Sequence, residues 1–239
     1  MEDKYKENFM RKEVIYYLTF MVFLSIVSLS ILFMVHSKLN KTIDKKVGEV
    51  IEITKQNWPS GSFIEKNVLV YKNENDILVP SAVRIGHQPS EWHERFSFNK
   101  YTPEGNLAEY YEYGNLNNPT PISTIWGYRG ILPIAKIENA AYDLVVAELT
   151  AIGHTVENLQ NKSESELRAI FSTLRERPNL KDAFITSYTH KPLVGVTSIT
   201  DPRGQTIFYE YDSFGRLKSI RDQNWKILEE YDYHYAQPQ

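Results

Sequence analysis

The residues best equipped for chemistry crowd the end of the chain. Glu210, Asp212, Asp222, Glu229, Glu230 and Asp232 supply carboxylates, and Tyr209, Tyr211, Tyr231, Tyr233 and Trp225 supply aromatic faces. Paired carboxylates can hydrolyse glycosidic bonds if two of them flank a cleft at a set separation. Aromatic faces beside acids and amides can hold a sugar, the ring packing on C–H groups while polar neighbours take the hydroxyls. No spacing singles out one acid pair, so these carboxylates are expected to be turn caps and solvated strand positions. The Tyr/Trp set is the one carbohydrate contact the residue types support. The same rings would serve equally as packing ladders.

Other reactive constellations are missing. His87, Glu91, His93 and Glu94 carry metal-ligand atoms, but their spacing fits neither a helix nor a strand site. His93-Glu94 lacks the second histidine of a zinc-protease helix, and no phosphate loop or nucleophile elbow occurs. With no cysteine there is no thiolate chemistry. The expectation is a protein that is not an enzyme, with no catalytic residue, no metal and no cofactor. A net charge of −3 supplies no basic field for nucleic acid.

What must position these residues is a series of tight turns. TPEG (102–105), DPRG (201–204) and DSFG (212–215) share one pattern. A type I turn favours Asp first, Pro second and Gly fourth. The Asp side chain can take backbone N–H groups two residues on, and the Gly can adopt φ > 0 for a bulged hairpin loop. Between turns, TIFYEY (206–211) places Ile207, Tyr209 and Tyr211 on one face by period two. RLKSIR (216–221) and KILEEYDYHY (226–235) continue the series. Asp201, Asp212 and Asp222 stand 11 and then 10 residues apart, which suits a meander of short antiparallel strands. YTPEGNL (101–107) repeats the Tyr, Gly and Leu of YDSFGRL (211–217). VLVYKNENDILVP (68–80) predicts a hairpin turning at Asn73 to Asp76. Ten of the 16 tyrosines fall within 101–128 and 209–235, where the ladders are expected.

Helical pattern interrupts the strands over about 137–177. Ala141, Leu144, Val145, Leu149 and Ile152 make one stripe, and Leu167, Ile170, Phe171 and Leu174 another. Ser163 and Glu166 have capping-box spacing, and Arg175 and Arg177 precede Pro178. A helical hairpin with Gly153 near its turn is expected to pack on one sheet face.

The chain opens differently. After a tail of residues 1–13, residues 14–35 form 22 residues without a charge, Gly or Pro. As a helix they would span about 33 Å, enough for a bilayer of roughly 30 Å. The poor cleavage site at Val35-His36-Ser37 and the length of the run favour a transmembrane anchor over a cleaved signal, which would make the domain secreted. Four lysines or arginines flank each side (Lys4, Lys6, Arg11, Lys12; Lys38, Lys41, Lys45, Lys46), so charge gives no orientation. Leu39, Ile43, Val47 and Val50 then trace a narrow helical stripe, so residues 36–57 are expected to form a juxtamembrane helix or stalk. Residues 58–239 follow as a strand-rich domain.

YDSFGRL (211–217) resembles the YD repeat of the RHS (rearrangement hot spot) family, whose core pattern Tyr-Asp-x-x-Gly-Arg-Leu it meets at Tyr211, Asp212, Gly215, Arg216 and Leu217. Asp201 and Gly204 mark the preceding turn. The stretch 200–235 is similar to the closing repeats of long surface proteins of Bacteroidetes-type bacteria, and the resemblance extends over roughly 60–235. It implies a spiral of β-hairpins, which in long members closes into a shell around a toxin or other cargo. It also implies export and a role in competition, adhesion or surface contact, with protein or glycan partners. The chain departs from the pattern at Thr102, where Asp is expected, and at Trp225, where Gly is expected. Three clear turns are too few to enclose cargo, and no toxin domain is expected after Tyr235. The fold class expected is α+β, a mostly antiparallel hairpin sheet with a helical insertion behind one membrane helix. The function expected is a non-enzymatic, membrane-anchored surface protein with its C-terminal domain outside the cytoplasm. The alternatives are a toxin-system fragment or a carbohydrate-binding module.

Overall fold

The computed structural model describes residues 50–56, 63–74, 77–88, 91–113 and 118–234. Its strands are β1 (Val50–Gln56), β2 (Phe63–Glu74), β3 (Ile77–Gln88), β4 (Glu91–Tyr101), β5 (Leu107–Glu112), β6 (Thr120–Gly127) and β7 (Leu132–Glu138). Helices α1 (Tyr142–Ala151), α2 (Val156–Leu159) and α3 (Glu164–Arg175) intervene, with a short 3-10 turn at Pro178–Leu180. Strands β8 (Phe184–Lys191), β9 (Gly195–Thr200), β10 (Thr206–Tyr211), β11 (Leu217–Arg221) and β12 (Ile227–Glu230) complete the chain. All twelve lie side by side in sequence order, each antiparallel to the next. The mostly antiparallel meander expected from the turn spacing is what forms, and β2 and β3 join where Glu74 pairs with Ile77.

The helix or stalk expected over residues 36–57 is corrected from Val50 onward. Val50–Gln56 is a strand, paired with β2 from Val50–Val70 to Gln56–Phe63. Val50, Ile51, Ile53 and Thr54 are β-branched and stiff at χ1, which favours an extended chain over a helix. Strand structure therefore starts before Trp58. The rest of the stalk and the apolar segment 14–35 lie outside the described residues. No helix among the described residues is long and apolar enough to cross a membrane.

The helices close over the middle of the sheet. Directly opposite residues share a face, and the registers place Ile125, Ala135, Ser187 and Thr200 in one row and Ser123, Ile137 and Ile185 in the next. Ile125, Ala135, Ile137 and Ile185 pack with Val145, Leu149, Leu167, Ile170, Phe171 and Leu174 in one core. Helix α3 supplies its whole expected stripe, and its N-terminus carries the expected capping box: Ser163 Oγ accepts from the Glu166 amide, and Glu166 accepts from the Ser163 amide at 2.8 Å. The amide and hydroxyl of Ser163, with Lys162, pull the Glu166 carboxyl down to about 2.

Helix α1 departs from its expected stripe. It starts only at Tyr142, because residues 137–138 belong to β7. Leu144 is exposed, whereas Glu148 is buried and accepts from Arg177 at 2.5 Å and Asn179 at 2.6 Å. Those two bonds, Asn179 first, hold its carboxyl below the usual range. Glu109 of β5, also buried, accepts the Tyr142 amide at 2.7 Å and caps a helix whose own N-cap, Ala141, has no side-chain oxygen.

Candidate functional site: the C-terminal repeat hairpins

Four turns share one backbone geometry. In each, the fourth residue donates to the carbonyl of the first: Gly105 to Thr102 (2.9 Å), Gly204 to Asp201 (3.0 Å), Gly215 to Asp212 (3.0 Å) and Trp225 to Asp222 (3.0 Å). The first residue donates in turn to the carbonyl four residues on, at 2.8–3.0 Å. The closing residue has φ of +85, +80, +75 and +63° respectively. Each aspartate Oδ1 accepts two further amides, such as Arg203 (2.9 Å) and Gln205 (2.8 Å) for Asp201, and Phe214 and Arg216 (both 2.9 Å) for Asp212. Thr102 takes a single amide, from Asn106 at 3.3 Å. A carboxylate in the first position thus satisfies N–H groups that a sharp turn strands.

Asp222-Gln223-Asn224-Trp225, which departs from the sequence pattern, keeps the same geometry. Trp225 accepts a left-handed backbone that disfavours any residue with a Cβ, and its ring stacks on Phe208 at 4.8 Å with planes 10° apart.

The candidate carboxylates are drawn into this framework. Burial alone would raise the Asp212 carboxyl, but the amide and guanidinium of Arg216 and the amide of Phe214 outweigh it and hold the group low. Arg216 Nη2 stands 2.6 Å from Asp212. Glu210 accepts from Ser219 Oγ at 2.5 Å and Arg221 Nε at 2.7 Å, and these bonds keep it ionised below its ordinary range. Asp222 accepts the amides of Asn224 and Lys226. Glu229 accepts the Tyr231 hydroxyl. Glu230 and Asp232 are exposed, with His234 beside Asp232 at 3.4 Å.

The five aromatic candidates do not share a surface. Phe208 lies opposite Ser198 and Arg221, on the helix-covered face, where Arg168 of α3 sits 5.3 Å over its ring. Trp225 stacks there. Tyr209 lies opposite Ile220 on the other face, and Tyr211 follows two residues on. Burial drives the Tyr209 hydroxyl up to about 12. Tyr211 donates to the Val196 carbonyl at 2.9 Å and covers Gly195, where any Cβ would collide with its ring. Tyr233 donates to the Leu217 carbonyl at 2.7 Å beneath the Arg216 guanidinium, 4.2 Å from the ring centre. Tyr101 repeats the device on the distant copy, donating to Pro80 at 2.6 Å. A tyrosine reaching the carbonyl of the preceding strand is therefore a recurrent clasp. Tyr231 and Tyr233 remain partly open, and Trp225 is 58% exposed.

Of the metal candidates, His87 and Glu91 flank the end of the β3–β4 hairpin. Glu94 is bound by Arg84 at 3.2 Å. Among the described residues, no group of three or more His, Asp or Glu is arranged for a metal. Sequence reasoning passed over Phe208 and Arg168. Period two did put Phe208 opposite the tyrosine face, which was the available signal.

A family model described as RHS Repeat matches residues 194–223, the span from Val194 before β9 to the start of the fourth turn. No curated protein matches the chain. Similar solved structures include the crystal structure of TcdB2-TccC3-Cdc42, at 12% identity and a TM-score of 0.38, over 74% of this chain and 8% of that one. The Photorhabdus luminescens Tc holotoxin pore is similar at 12% identity and a TM-score of 0.38, over 76% of this chain and 8% of that one. The chain thus spans less than a tenth of the length of these structures.

Proposed function

We propose that this is a non-enzymatic RHS-repeat protein, held at the membrane by residues 14–35, whose sheet serves a structural or cell-surface interaction role outside the cytoplasm. The observation that carries the reading is the use made of the acids. Asp201, Asp212 and Asp222 spend their oxygens on turn amides, and Glu210 on Ser219 and Arg221. The residues that define the repeat build hairpins. The uncharged run 14–35 supports anchorage by its length. Carbonate extraction of membranes and protease cleavage of a C-terminal tag in spheroplasts test it. A tag that resists extraction and is cut in spheroplasts supports the reading. Release from the membrane, or protection until lysis, overturns it.

A second reading, carbohydrate contact, is favoured by the open Trp225 ring stacked on Phe208. Because Tyr209 lies on the opposite face, Trp225→Ala and Tyr209→Ala act on different surfaces. Glycan-array binding lost in one and kept in the other would locate the contact, and no glycan binding by the unaltered protein would remove the reading.

A further inference from the structure

Three successive residues of the β6–β7 turn, Tyr128, Arg129 and Gly130, have φ of +52, +63 and +75°. Glycine tolerates this region, whereas the two residues with a Cβ are strained in it. Such strain persists only where the surroundings over-determine the backbone. Three outside groups hold this turn. Gln160, the residue after α2, accepts from the Arg129 and Gly130 amides at 2.7 and 3.3 Å and donates to the Trp126 carbonyl at 2.9 Å. Asn106 donates to the Gly130 carbonyl at 2.6 Å. The His190 amide donates to the Tyr128 hydroxyl at 2.7 Å.

The turn closes over a proton site. His190 is buried in β8, and the Pro133 carbonyl lies 2.7 Å from its Nε2. A carbonyl can only accept, so the neutral ring carries its proton on Nε2. Tyr128 meets the ring edge-on at 5.4 Å between centroids and packs on the core beneath the helices. Glu164 of α3 favours the imidazolium, but Arg168 stands 3.7 Å from that carboxylate. Arg129 on the turn and Lys191 beside the histidine carry like charge. Strands β7 and β9 bring Pro133 and Val196 against it, neither of them charged. Burial prevails, and the imidazole pKa is lowered. Opening of the turn hydrates the ring and returns it to its ordinary value of about 6.5. Protons therefore favour the open form. Its population rises as pH falls from about 6.5 toward the lowered value, by at most about tenfold per pH unit for one proton. The opening is local, because Tyr128 and Arg129 relax their backbone when they leave.

We propose that the 128–131 turn is an acid-released latch: protonation of His190 frees Tyr128 and lets the turn relax while the sheet and helices around it stay folded. Native-state hydrogen exchange of the full chain tests it, corrected for the intrinsic rate at each pH and run above and below about pH 6.5. The amides of Arg129, Gly130 and Ile131 are the reporters, since Gln160 and the Gly127 carbonyl hold them in the closed turn. Ala135 of β7 and Ile185 of β8, both in the core, are the controls. Protection at the reporters should fall with pH while the controls keep theirs. His190→Asn should remove the pH dependence. Arg129→Gly should slow opening at every pH, because a glycine is unstrained in the closed turn. In the unaltered protein the His190 ring C–H resonances should titrate with the same midpoint as the loss of protection, which keeps the test intact if His190→Asn fails to fold. Protection that ignores pH, an unchanged pH dependence in His190→Asn, a ring titration with a different midpoint, or loss at the controls in step with the reporters would overturn the proposal.

Discussion

Strands β6–β8 and strands β9–β12 belong to one sheet, yet different forces hold them. Over β6–β8 the helix-facing rows are Ile125, Ala135, Ile137 and Ile185, sealed by Leu149, Phe171 and Leu174. On β9 the same face turns polar. Ser198 bonds Thr189 at 2.6 Å, Thr200 bonds Thr206 at 2.9 Å, and Arg175 donates to Ser187 and to the Ile185 and Thr200 carbonyls. Beyond β10 every strand residue but the buried Ser219 is half-buried or exposed, and turn caps, tyrosine clasps and the Trp225–Phe208 stack do the holding. The first region is stabilised by apolar burial, which is cooperative and buried in the middle of the domain. The second is stabilised by local bonds repeated hairpin by hairpin, so it can be extended or shortened without remaking a core.

Breaking the first region should cost most. Phe171→Ala removes a fully buried ring and is expected to destabilise the domain by about 3–5 kcal/mol, read from urea unfolding. Asp201→Ala, in the second region, should cost about 1 kcal/mol, because it strands two turn amides rather than opening a cavity. Asp201→Asn should recover most of that loss. An Asp201→Ala effect as large as that of Phe171→Ala would erase the distinction.

His190 links the two regions. It is buried, its Nε2 lies 2.7 Å from the Pro133 carbonyl, and Tyr128 meets it edge-on. Burial lowers its pKa in the folded protein. The unfolded chain therefore binds the proton more readily, so stability is full above about pH 6.5 and falls as pH drops from there toward the lowered value. Melting temperatures between pH 7.5 and 5.5, on the ordinary scale around that value, should decline more in the unaltered protein than in His190→Asn. The smallest effect belongs to Trp225→Gly. Relief of the left-handed backbone offsets loss of the ring stack, each worth about 1 kcal/mol, and a melt should show near-neutrality. Trp225→Ala keeps the strain, loses the stack, and should be the worse of the two.

The repeat region was the legible one. Its turns declare themselves through Asp and Gly, and strand 206–211 follows from period two between them. The capping box at Ser163 is similarly local. The covered region was harder. Burial on both faces of β6 and β7 hides alternation, and Glu148 breaks the α1 stripe because Arg177 and Asn179, far along the chain, neutralise its burial. Turns 128–131 and 191–194 lack the Asp-x-x-Gly signature, and the first uses left-handed Tyr128 and Arg129. Val50–Gln56 was misread because Val50 also fits the helical spacing of Leu39, Ile43 and Val47. The aromatic candidates were identified by type, but their division between faces depends on where Trp225 leaves the strand, which residue types do not encode.

Native-state hydrogen exchange of the whole chain, followed segment by segment, tests the central distinction most directly. Amides of β6–β8 and α3 should exchange only by global unfolding, while those of β10–β12 should open at lower free energy and respond selectively to Asp201→Ala. Equal protection across β6–β12, falling together in Asp201→Ala, would contradict the account and make the repeat hairpins part of one cooperative core.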